Sequence, residues 1–415
     1  MKVLWFTNTP SLASQYYGFS NTSGGWISSL ESAIHENTDF KIAIAFFTES
    51  IKGSMVWGKT VYYPIHKNGN IIQKLFDRHF NCLNELKYLK HYLKIIDDFR
   101  PDIIQIFGTE NGFSYLCGNT TLPVCIHLQG ILTDCQHYFS PGKISRWDLL
   151  KYSSLGKILK GTSLLHVYWN LKKRAKRELR LFPLCHYYFG RTIYDKSFVE
   201  NHAPSATYFN CNELLRKEFY QTKRWNYPKN RGNVLLTINN GEIYKGIDII
   251  LETASLLKKA GFSFEWRIAG VDQSNVVLNL FENKLKLSHN DLSINLLGEL
   301  NADEIVDQMI RSDLFIHTSR IDNSPNSICE AMLVGMPVIA FNVGGISSLI
   351  DNRCGILINQ VEPAALSKEI ISALSNSDHL ISIGKNARLI ALERHNPTKL
   401  IDDIKYAYQK ILQNE

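Results

Sequence analysis

Short apolar segments, each about the length of a β-strand, alternate with segments of helix length along almost all of this 415-residue chain. Parallel strands must be joined by a crossover of a dozen or more residues, usually a helix, so this alternation predicts α/β domains with parallel sheets. The predicted strands are residues 2–6, 41–47, 102–107, 123–128 and 185–189 in the first half, and 234–238, 266–269, 293–297, 314–316 and 338–341 in the second. Each half should form its own doubly wound sheet, in which ligands bind beyond the carboxyl ends of the strands.

Length and composition predict a soluble, cytoplasmic protein. The chain is 45% hydrophobic and 20% charged, which is ordinary for globular domains, and it is long enough for two or three of them. No apolar run approaches the roughly 18–20 residues that span a bilayer, and the first residues turn polar too soon for a secretory signal peptide. Eight cysteines occur without a C-x-x-C pair, which favours buried reduced thiols over a zinc site or a disulfide framework.

Residues 140–180 form a strongly basic segment, in which eleven Lys and Arg face only the two acids Asp148 and Glu178. Leu and Trp residues are interleaved with the bases, a pattern that suits a surface helix on anionic lipid and thus a peripheral location on the inner face of the cell membrane. The alternative is an ordinary amphipathic helical hairpin with a solvated basic face. No nucleic-acid recognition module accompanies the bases, so nucleic acid is not an expected partner.

The segment 314–350 predicts a strand, a polar loop, a helix and a second strand, in that order. The loop carries Asp322, and Pro325 suits the first helical position because proline lacks the N–H that a helix leaves unpaired there. Ser324 before it is a good N-cap. The exposed N–H groups and the dipole at such a helix start favour an anion such as a diphosphate. Glu330 lies inside the helix, where its carboxylate can accept hydrogen bonds from neutral hydroxyls.

This segment resembles the E-x7-E signature of the retaining glycosyltransferases of family four, which have the two-domain GT-B fold. Glu330 matches the second acid, and Asp322, a shorter carboxylate than the usual glutamate, stands eight residues earlier in place of the first. The following run A-M-L-V-G-M-P-V-I-A and the pair Gly344-Gly345 match as well. The resemblance implies that Glu330 binds the ribose of a nucleotide-sugar donor of UDP or GDP type and that Asp322 orients the donor sugar. It also implies donor contacts by the residues beside them, Asn323, Ser324, Asn326 and Ser327.

A second match to the family follows the first strand of the second half. The family carries a Lys-Gly pair at this point, matched by Lys245 and Gly246, and its lysine neutralises the diphosphate leaving group. An arginine usually stands five residues before that lysine, but Asn240 occupies the position here, so one positive charge is missing. Arg191 is a candidate to supply that charge, and Gly270 is a further expected donor-binding position.

Two positions in the first half also resemble family sites. Gly24-Gly25 matches the glycine pair of the first loop, which lies near the donor phosphates and the acceptor, and glycine lets backbone approach a ligand closely. Many relatives carry a His-Gly pair beside the donor sugar; alignment on Gly130 puts Gln129 there, whereas alignment on the imidazole puts His127 there. Residues two apart share one face of a strand, so both are candidates. No D-x-D triplet occurs, which fits a metal-independent site without a permanently bound cofactor.

The function that the resemblance implies is transfer of a sugar from a nucleoside-diphosphate-sugar, with retention of anomeric configuration. The acceptor would be a hydroxyl of a glycan or lipid-linked oligosaccharide in bacterial surface-polysaccharide (O-antigen, lipopolysaccharide or capsule) biosynthesis. The expected domains are 1–212 on the acceptor side, 213–394 on the donor side and a C-terminal helix, 395–415, that crosses back to the first, with a polar linker over 210–231. Two alternatives remain: a nucleotide-sugar epimerase of the same architecture, which needs no acceptor, and a catalytically weak nucleotide-sugar-binding subunit.

Overall fold

The structure is a computed structural model that describes residues 1–19, 25–67, 75, 76, 78, 79, 85–139, 144–222, 224–226 and 232–413. Fourteen strands and fifteen α-helices have their bounds within these residues, and residues 75, 76, 78 and 79 are helical as well. The strands are β1 (Lys2–Thr7), β2 (Lys41–Thr48), β3 (Met55–Trp57), β4 (Thr60–His66), β5 (Ile103–Phe107), β6 (Val124–His127), β7 (Tyr187–Gly190), β8 (Thr207–Asn210), β9 (Val234–Ile238), β10 (Glu265–Ala269), β11 (Ile294–Gly298), β12 (Leu314–His317), β13 (Val338–Phe341) and β14 (Ile356–Ile358). The helices are α1 (Gly25–Asn37), α2 (Leu89–Phe99), α3 (Leu132–His137), α4 (Arg146–Lys151), α5 (Leu155–Leu159), α6 (Leu164–Leu181), α7 (Ile193–His202), α8 (Lys217–Gln221), α9 (Ile247–Lys259), α10 (Val276–Leu285), α11 (Ala302–Ile310), α12 (Asn326–Val334), α13 (Pro363–Leu374), α14 (Ser377–Arg394) and α15 (Pro397–Gln413).

The chain divides into two compact units, each with one sheet. The first unit comprises Met1–His137, Ser154–Leu214 and His395–Glu415, and the second comprises Tyr138–Ser153 and Leu215–Arg394. The first sheet has the order β3-β4-β2-β1-β5-β6-β7-β8, and the second has the order β11-β10-β9-β12-β13-β14. Among the described strands all neighbours are parallel except β3 and β4. Two parallel α/β sheets are thereby confirmed, while the assignment of acceptor and donor sides to the two halves stays a prediction.

All ten predicted strands are present, and their ends differ from the predicted ones by no more than two residues. The sequence pattern does not predict β3, β4, β8 or β14. β4 is not predicted because it contains Pro64, and a proline usually argues against a strand inside a sheet. Its antiparallel partner β3 pairs only with Thr60–Tyr62, so the missing N–H of Pro64 faces no strand on that side. β8 and β14 lie at the sheet edges and have only four and three residues, too few for a clear pattern.

Each sheet has one point where the strand order reverses. In the second sheet the chain first builds outward from β9 to β11 and then returns to place β12 on the other side of β9. In the first sheet β5 is added on the other side of β1 in the same way. Ligands of doubly wound sheets bind at such switch points, outside the carboxyl ends of the strands. The loops after β9 and β12, and those after β1 and β5, are therefore where ligand contacts are expected.

The division between the two units, after Leu214, falls inside the predicted linker 210–231, but the described residues that follow are not a polar loop. Leu215, Phe219 and Trp225 are all buried in the hydrophobic core of the second unit. The helix that contains Phe219, α8, has only five residues and begins with the charged residues Lys217 and Glu218. Because so short a helix shows no periodic pattern, its two or three apolar residues were not distinguishable from a polar loop.

The basic segment 140–180 folds into α4, α5 and α6, with residues 140–143 outside the described part. α5 buries none of its residues, and its Leu155 and Leu159 side chains are 71% and 65% exposed. The second half of α6 differs, because it buries the charged side chains of two neighbouring residues, Arg177 and Glu178. The segment is therefore exposed at α5 and partly internal at α6.

Arg177 and Glu178 of α6 form hydrogen bonds inside the first unit. The Arg177 guanidinium donates hydrogen bonds to the carbonyl oxygens of Thr109 and Glu110, at 2.7 and 2.8 Å. The Glu178 carboxylate accepts from the backbone N–H of Thr133, at 2.9 Å, in the first turn of α3. An Arg and a Glu of the basic segment thus connect the ends of other elements and are not part of a solvated face.

No helix in the described part of the chain is both long and apolar enough to cross a lipid bilayer. The seven cysteines within that part are free thiols, and all of them except Cys135 are buried. Burial raises the pKa of the Cys125 thiol well above its usual value, so it stays protonated and inert. The eighth cysteine, Cys82, lies outside the described residues.

Candidate functional site

Lys245 and Asp322 meet at the switch point of the second sheet. Lys245 lies in the loop after β9 and Asp322 in the loop after β12, and Nζ of Lys245 donates a hydrogen bond to Oδ2 of Asp322 at 2.7 Å. Nε2 of His317, the last residue of β12, lies 3.1 Å from the same oxygen. Burial by itself would raise the pKa of the Asp322 carboxyl, but the Lys245 charge and the His317 contact hold that pKa well below its usual range. Sequence patterns singled out Lys245 and Asp322, but not their ion pair or His317.

The backbone of Lys245 is attached to the loop after β12. Its carbonyl oxygen accepts hydrogen bonds from Oγ1 of Thr318, at 2.8 Å, and from Nδ2 of Asn239, at 3.0 Å. Gly246 has a φ of +77°, and a Cβ at this position would collide with the carbonyl oxygen of Thr318. The glycine that follows the lysine is therefore needed for this close approach of two backbones. Backbone contacts as well as charge hold Lys245 beside Asp322.

The Gly344-Gly345 turn positions the backbone of Asp322. The N–H of Gly345 donates to the Asp322 carbonyl oxygen at 2.9 Å. Gly344 has a φ of +54°, and a Cβ there would collide with the same oxygen. The glycine pair of the sequence motif thus supports the loop that carries Asp322.

Helix α12 begins one residue later than the sequence predicts. Its first residue is Asn326, and Pro325 is the N-cap with an extended ψ of 118°. The assignments of Pro325 to the first helical position and of Ser324 to the N-cap are therefore wrong. The Pro325 carbonyl oxygen already accepts from the N–H of Ile328, at 3.0 Å, but no side chain caps this terminus. The N–H groups of Asn326 and Ser327 stand at the positive end of the helix, where an anion is favoured.

The loop before this helix is compact. The side chains of Asn323 and Ser324 are buried, and those of Asn326 and Ser327 are half-buried. The N–H of Asn323 donates to Oδ1 of Asp322 at 3.2 Å. The four residues that the resemblance assigns to donor contacts therefore adjoin Asp322 and the start of α12.

Glu330 is bound by Arg216, a residue to which the sequence assigned no role. Nε of Arg216 donates to Oε1 of Glu330 at 2.8 Å, and Nη2 donates to Oε2 at 2.9 Å. Burial alone would lower the pKa of Arg216, but the negative charge of Glu330 raises it. The two residues are 114 positions apart, so no local pattern could have paired them.

Asn240 and Gly270, two other predicted donor-binding residues, take part in loop structure. Asn240 is exposed, and its Oδ1 accepts from the N–H of Glu242 at 3.4 Å, which forms a local turn. Gly270 has a φ of +89°, and a Cβ there would collide with the carbonyl oxygen of Asn239. The glycine at 270 is accounted for by that backbone contact, and donor binding by either residue stays a prediction.

Arg191 follows β7 in the first unit. Its guanidinium lies over the Trp26 ring, 4.4 Å from the centroid, and its Nε is 3.6 Å from Oε2 of Glu213. Arg191 is 3% exposed and Glu213 is fully buried. Gly25 is the first residue of α1, with a φ of +41°, whereas Gly24 lies outside the described residues. Donor binding by Arg191, Gly24 and Gly25 stays a prediction.

His127 is the last residue of β6 and is fully buried. Three aromatic rings surround its imidazole, those of Trp26, Phe107 and Phe189. Its Nδ1 lies 3.2 Å from Nε2 of Gln105. Burial, reinforced by the Arg191 charge, lowers the pKa of His127 well below its usual value, so the imidazole is neutral. Gln129 lies just beyond the strand and is half-buried, and which of the two lies beside a donor sugar stays a prediction.

A polar cluster that the sequence did not reveal lies at the switch point of the first sheet. Asn8 follows β1, and Glu110 and Asn111 follow β5. Nδ2 of Asn8 donates to Oε2 of Glu110 at 3.2 Å, and Nδ2 of Asn111 donates to Oδ1 of Asn8 at 2.5 Å. Burial raises the pKa of Glu110. All three are half-buried, and they carry no motif or period, because only the crossover between β1 and β5 brings them together.

Comparison with known proteins adds family information for the second unit. Residues 220–390 match the family model "Glycosyl transferases group 1". The uncharacterized glycosyltransferase MJ1178 of Methanocaldococcus jannaschii is 26% identical over 168 residues, which are 40% of this chain and 45% of that protein. The amylovoran biosynthesis glycosyltransferase AmsK of Erwinia amylovora is 26% identical over 153 residues, 35% of this chain and 36% of that protein. The chain thus covers less than half the length of each of these relatives.

Solved structures share the whole fold at low sequence identity. The sucrose-phosphate synthase of Thermosynechococcus elongatus superposes with a TM-score of 0.75 at 10% identity, covering 100% of both chains. Anabaena HepE in complex with UDP and glucose superposes with a TM-score of 0.61 at 15% identity, covering 98% of both. These similarities confirm the predicted GT-B fold class. Because residues 220–390 match its family model, this part of the chain is a domain of the glycosyl transferases group 1 family.

Proposed function

We propose that this protein transfers a sugar, with retention of anomeric configuration, from a nucleoside-diphosphate-sugar of UDP or GDP type to a hydroxyl of a glycan or lipid-linked oligosaccharide. The observation that supports this most directly is the Lys245–Asp322 pair at the second switch point, next to the uncapped start of α12. A cation and a free helix N-terminus at the carboxyl edge of a parallel sheet suit a diphosphate. The UDP complex of HepE and the polysaccharide function named for AmsK support the donor and pathway classes.

In this proposal the second unit binds the donor. The Lys245 ammonium, which donates to Asp322, places a positive charge at the carboxyl edge of the sheet, and in this proposal that charge attracts the diphosphate. The N–H groups of Asn326 and Ser327 face the same diphosphate, and together these groups stabilise the negative charge that develops as it leaves. Asp322, kept ionised by Lys245 and His317, accepts hydrogen bonds from the sugar hydroxyls.

The transfer itself forms a bond between the acceptor oxygen and the anomeric carbon on the face from which the diphosphate departs. The bond from the anomeric carbon to the diphosphate oxygen breaks, and the acceptor proton passes to the leaving phosphate. No protein nucleophile is needed for this route, and its charge balance relies on Lys245 and the start of α12. Acceptor hydroxyls are assigned to the first unit, where Asn8, Glu110 and Asn111 form a polar cluster at its switch point.

The proposed function is tested in two steps. A thermal-shift series with UDP-, GDP-, ADP- and CMP-sugars should raise the melting temperature with one nucleotide class, because a ligand that binds only the native state stabilises it by RT ln(1 + [L]/Kd). The stabilising donor is then incubated with lipid-linked and free oligosaccharides, and the product linkage is read by NMR. Retained configuration supports the proposal. Donor epimerised without acceptor, or no binding of any nucleotide sugar, contradicts it.

A peripheral membrane location, at the cytoplasmic face, is part of the same proposal. α5 exposes Leu155 and Leu159 between lysines, and α6 exposes Lys173 and Lys176. Apolar side chains flanked by bases suit the interface of an anionic bilayer, where each base contributes about 1 kcal/mol.

Charge reversal at Lys173 and Lys176 should weaken binding to vesicles that contain phosphatidylglycerol by at least about tenfold, because two attractive charges become repulsive. The matched control is reversal of Lys258 and Lys259, two exposed lysines at the end of α9. Co-sedimentation with vesicles at low salt measures both double variants. Equal sedimentation of the two would remove the membrane proposal without affecting the proposed reaction.

A further inference from the structure

Helix α6 turns one face toward the loop that follows β5. Arg174, Arg177 and Glu178 are spaced by three and four positions, so they lie together on that face of the helix. Arg177 donates to the carbonyl oxygens of Thr109 and Glu110, at 2.7 and 2.8 Å, and Glu178 accepts from Oγ1 of Thr109 at 2.5 Å. Two of the three charged side chains thus attach the loop to the helix.

Arg174, the third charged residue of this face, does not attach the loop in this way. It is half-buried, and its Nε is buried without a hydrogen-bond partner in the part of the chain that the structure describes. Burial lowers the pKa of Arg174, but a guanidinium stays charged in proteins. Because a desolvated cation without hydrogen bonds costs free energy, a guanidinium kept in this state at a ligand-binding edge indicates a negatively charged ligand.

Glu110, whose charge acts on Arg174, does not replace such a ligand. Its Oε2 accepts from Nδ2 of Asn8 at 3.2 Å. Gly108 has a φ of +80°, and a Cβ there would collide with the same oxygen, so the glycine lets the carboxyl group of Glu110 fold back against the chain. Burial raises the pKa of Glu110, which favours its neutral form and so reduces the negative charge beside Arg174.

Two amides accompany Glu110 at this switch point. Nδ2 of Asn111 donates to Oδ1 of Asn8 at 2.5 Å, so the two amide groups are fixed relative to each other. Both asparagines are half-buried, and an amide can donate to a sugar hydroxyl as well as accept from it. The carboxyl edge of the first sheet therefore combines groups that suit hydroxyls with one cation.

We propose that Arg174 binds a negatively charged group of the acceptor, a carboxylate or a phosphate, next to the sugar hydroxyls that Asn8 and Asn111 contact. This inference rests on the proposed function, in which acceptor hydroxyls bind at this switch point, and it narrows the acceptor to an anionic saccharide. A guanidinium is planar and meets the oxygens of a carboxylate or phosphate with two parallel N–H donors. A uronic acid unit of a glycan and the phosphate of a lipid-linked oligosaccharide share this chemistry, and the test distinguishes them.

The test compares saccharides that differ in one charged group, by isothermal titration calorimetry. Methyl glucuronide is titrated beside methyl glucoside, and glucose-1-phosphate beside glucose, with the donor site saturated by the nucleoside diphosphate that stabilises the protein. The wild type should bind one charged saccharide at least about tenfold more tightly than its neutral partner, as expected for hydrogen bonds to a charged group. Arg174→Met should reduce this ratio to less than about threefold and leave the nucleotide Kd unchanged. Preference for the glucuronide indicates a uronic acid, and preference for the phosphate indicates a sugar phosphate.

Two further variants and a stability measurement separate ligand binding from a merely structural role. Arg174→Lys keeps the charge but not the paired donors, so its ratio should lie between those of the wild type and Arg174→Met. Arg180→Met removes an exposed arginine of the same helix and should keep the wild-type ratio. Because Arg174→Met removes a desolvated charge, the free variant should melt at the wild-type temperature or above it, whereas loss of a structural arginine would lower that temperature.

Equal binding of the charged and neutral saccharide in both pairs overturns the inference and leaves the proposed function standing. The same holds for a charge preference that Arg174→Met retains, for binding of none of the four saccharides, and for a melting temperature of Arg174→Met well below that of the wild type. Should no nucleotide stabilise the protein, the proposed function fails, and the same titrations without nucleotide still test anion binding by Arg174.

Discussion

Replacement of Lys245 by methionine should lower kcat/KM for sugar transfer by about 10²–10³-fold, the loss typical when one preorganised group that stabilises developing negative charge is removed. Methionine has a similar length but no charge, so it tests the ammonium and not the volume. The donor Kd should rise less than kcat/KM falls, because the charge on the leaving diphosphate is greatest in the transition state. Steady-state kinetics and calorimetry on the same preparation measure both quantities.

Loss of the Asp322 partner is a separate effect, and a second variant isolates it. Lys245→Met leaves the half-buried Asp322 carboxylate with its His317 contact but without its lysine partner, so the protein should also lose stability. Lys245→Met combined with Asp322→Asn removes the carboxylate charge that has lost its lysine, and should regain stability without regaining activity. Lys259→Met on the exposed end of α9 is the control for removal of a lysine. Near wild-type kcat/KM in Lys245→Met would contradict the proposed contact with the diphosphate.

Because of the Lys245–Asp322 pair, we also expect the stability of the protein to depend on pH. The folded-state pKa of Asp322 is depressed relative to about 3.9 in the unfolded chain, so its contribution to stability is present above that value and is lost as pH falls through the folded pKa. In Lys245→Met the folded pKa should move back toward the unfolded one. The difference in free energy of unfolding between wild type and variant should therefore be largest above about pH 5 and shrink as pH is lowered. Urea unfolding at several pH values measures it.

Replacement of Glu330 by alanine should weaken binding of the donor nucleotide and lower turnover by at least about tenfold, given roughly 1.5–3 kcal/mol for a lost hydrogen bond to a charged group. It should also destabilise the second unit, by up to about 3–5 kcal/mol, because Arg216 loses its partner. The stability cost is smaller if the guanidinium reaches solvent, since its side chain is 22% exposed. Calorimetry and denaturant unfolding report the two effects separately.

Glu330→Gln separates the effects of charge and shape at the same position. The amide can still accept one hydrogen bond, so the variant should be more stable than Glu330→Ala but should bind nucleotide more weakly than the wild type. Glu393→Ala, at an exposed glutamate of α14, is the control for loss of a carboxylate. Wild-type nucleotide affinity in a folded Glu330→Ala protein would contradict the ribose role.

Much of the fold was predictable because its signals are local. The strands of parallel sheets are buried on both faces, so they appear as short apolar runs bounded by turn residues, as in Val338–Phe341 between Pro337 and the Gly344 turn. Gly246 and Gly344 could be recognised as motif positions, although only the structure shows that a Cβ at either would strike a carbonyl oxygen.

Other parts of the site were not predictable because they depend on contacts between distant residues. Arg216 lies in a segment interpreted as a polar linker, and its relation to Glu330 exists only because Leu215 and Phe219 pack against the core beside α12. His127 and Gln129 were equivalent candidates in the sequence. In the structure three aromatic rings enclose His127, whereas Gln129 is half-buried, a difference that only tertiary packing creates; donor contact by either stays a prediction.

The sequence alone determined the α/β class, the positions of ten strands and the helix that carries Glu330, because each of these depends on residues within a few positions of one another. The tertiary structure decided which side chains pair: Lys245 with Asp322, Arg216 with Glu330, and Asn8 with Glu110. Each pair joins loops or helices separated by 77 to 114 residues. Strand order and core packing bring such segments together, and neither can be predicted from the local sequence pattern of the chain.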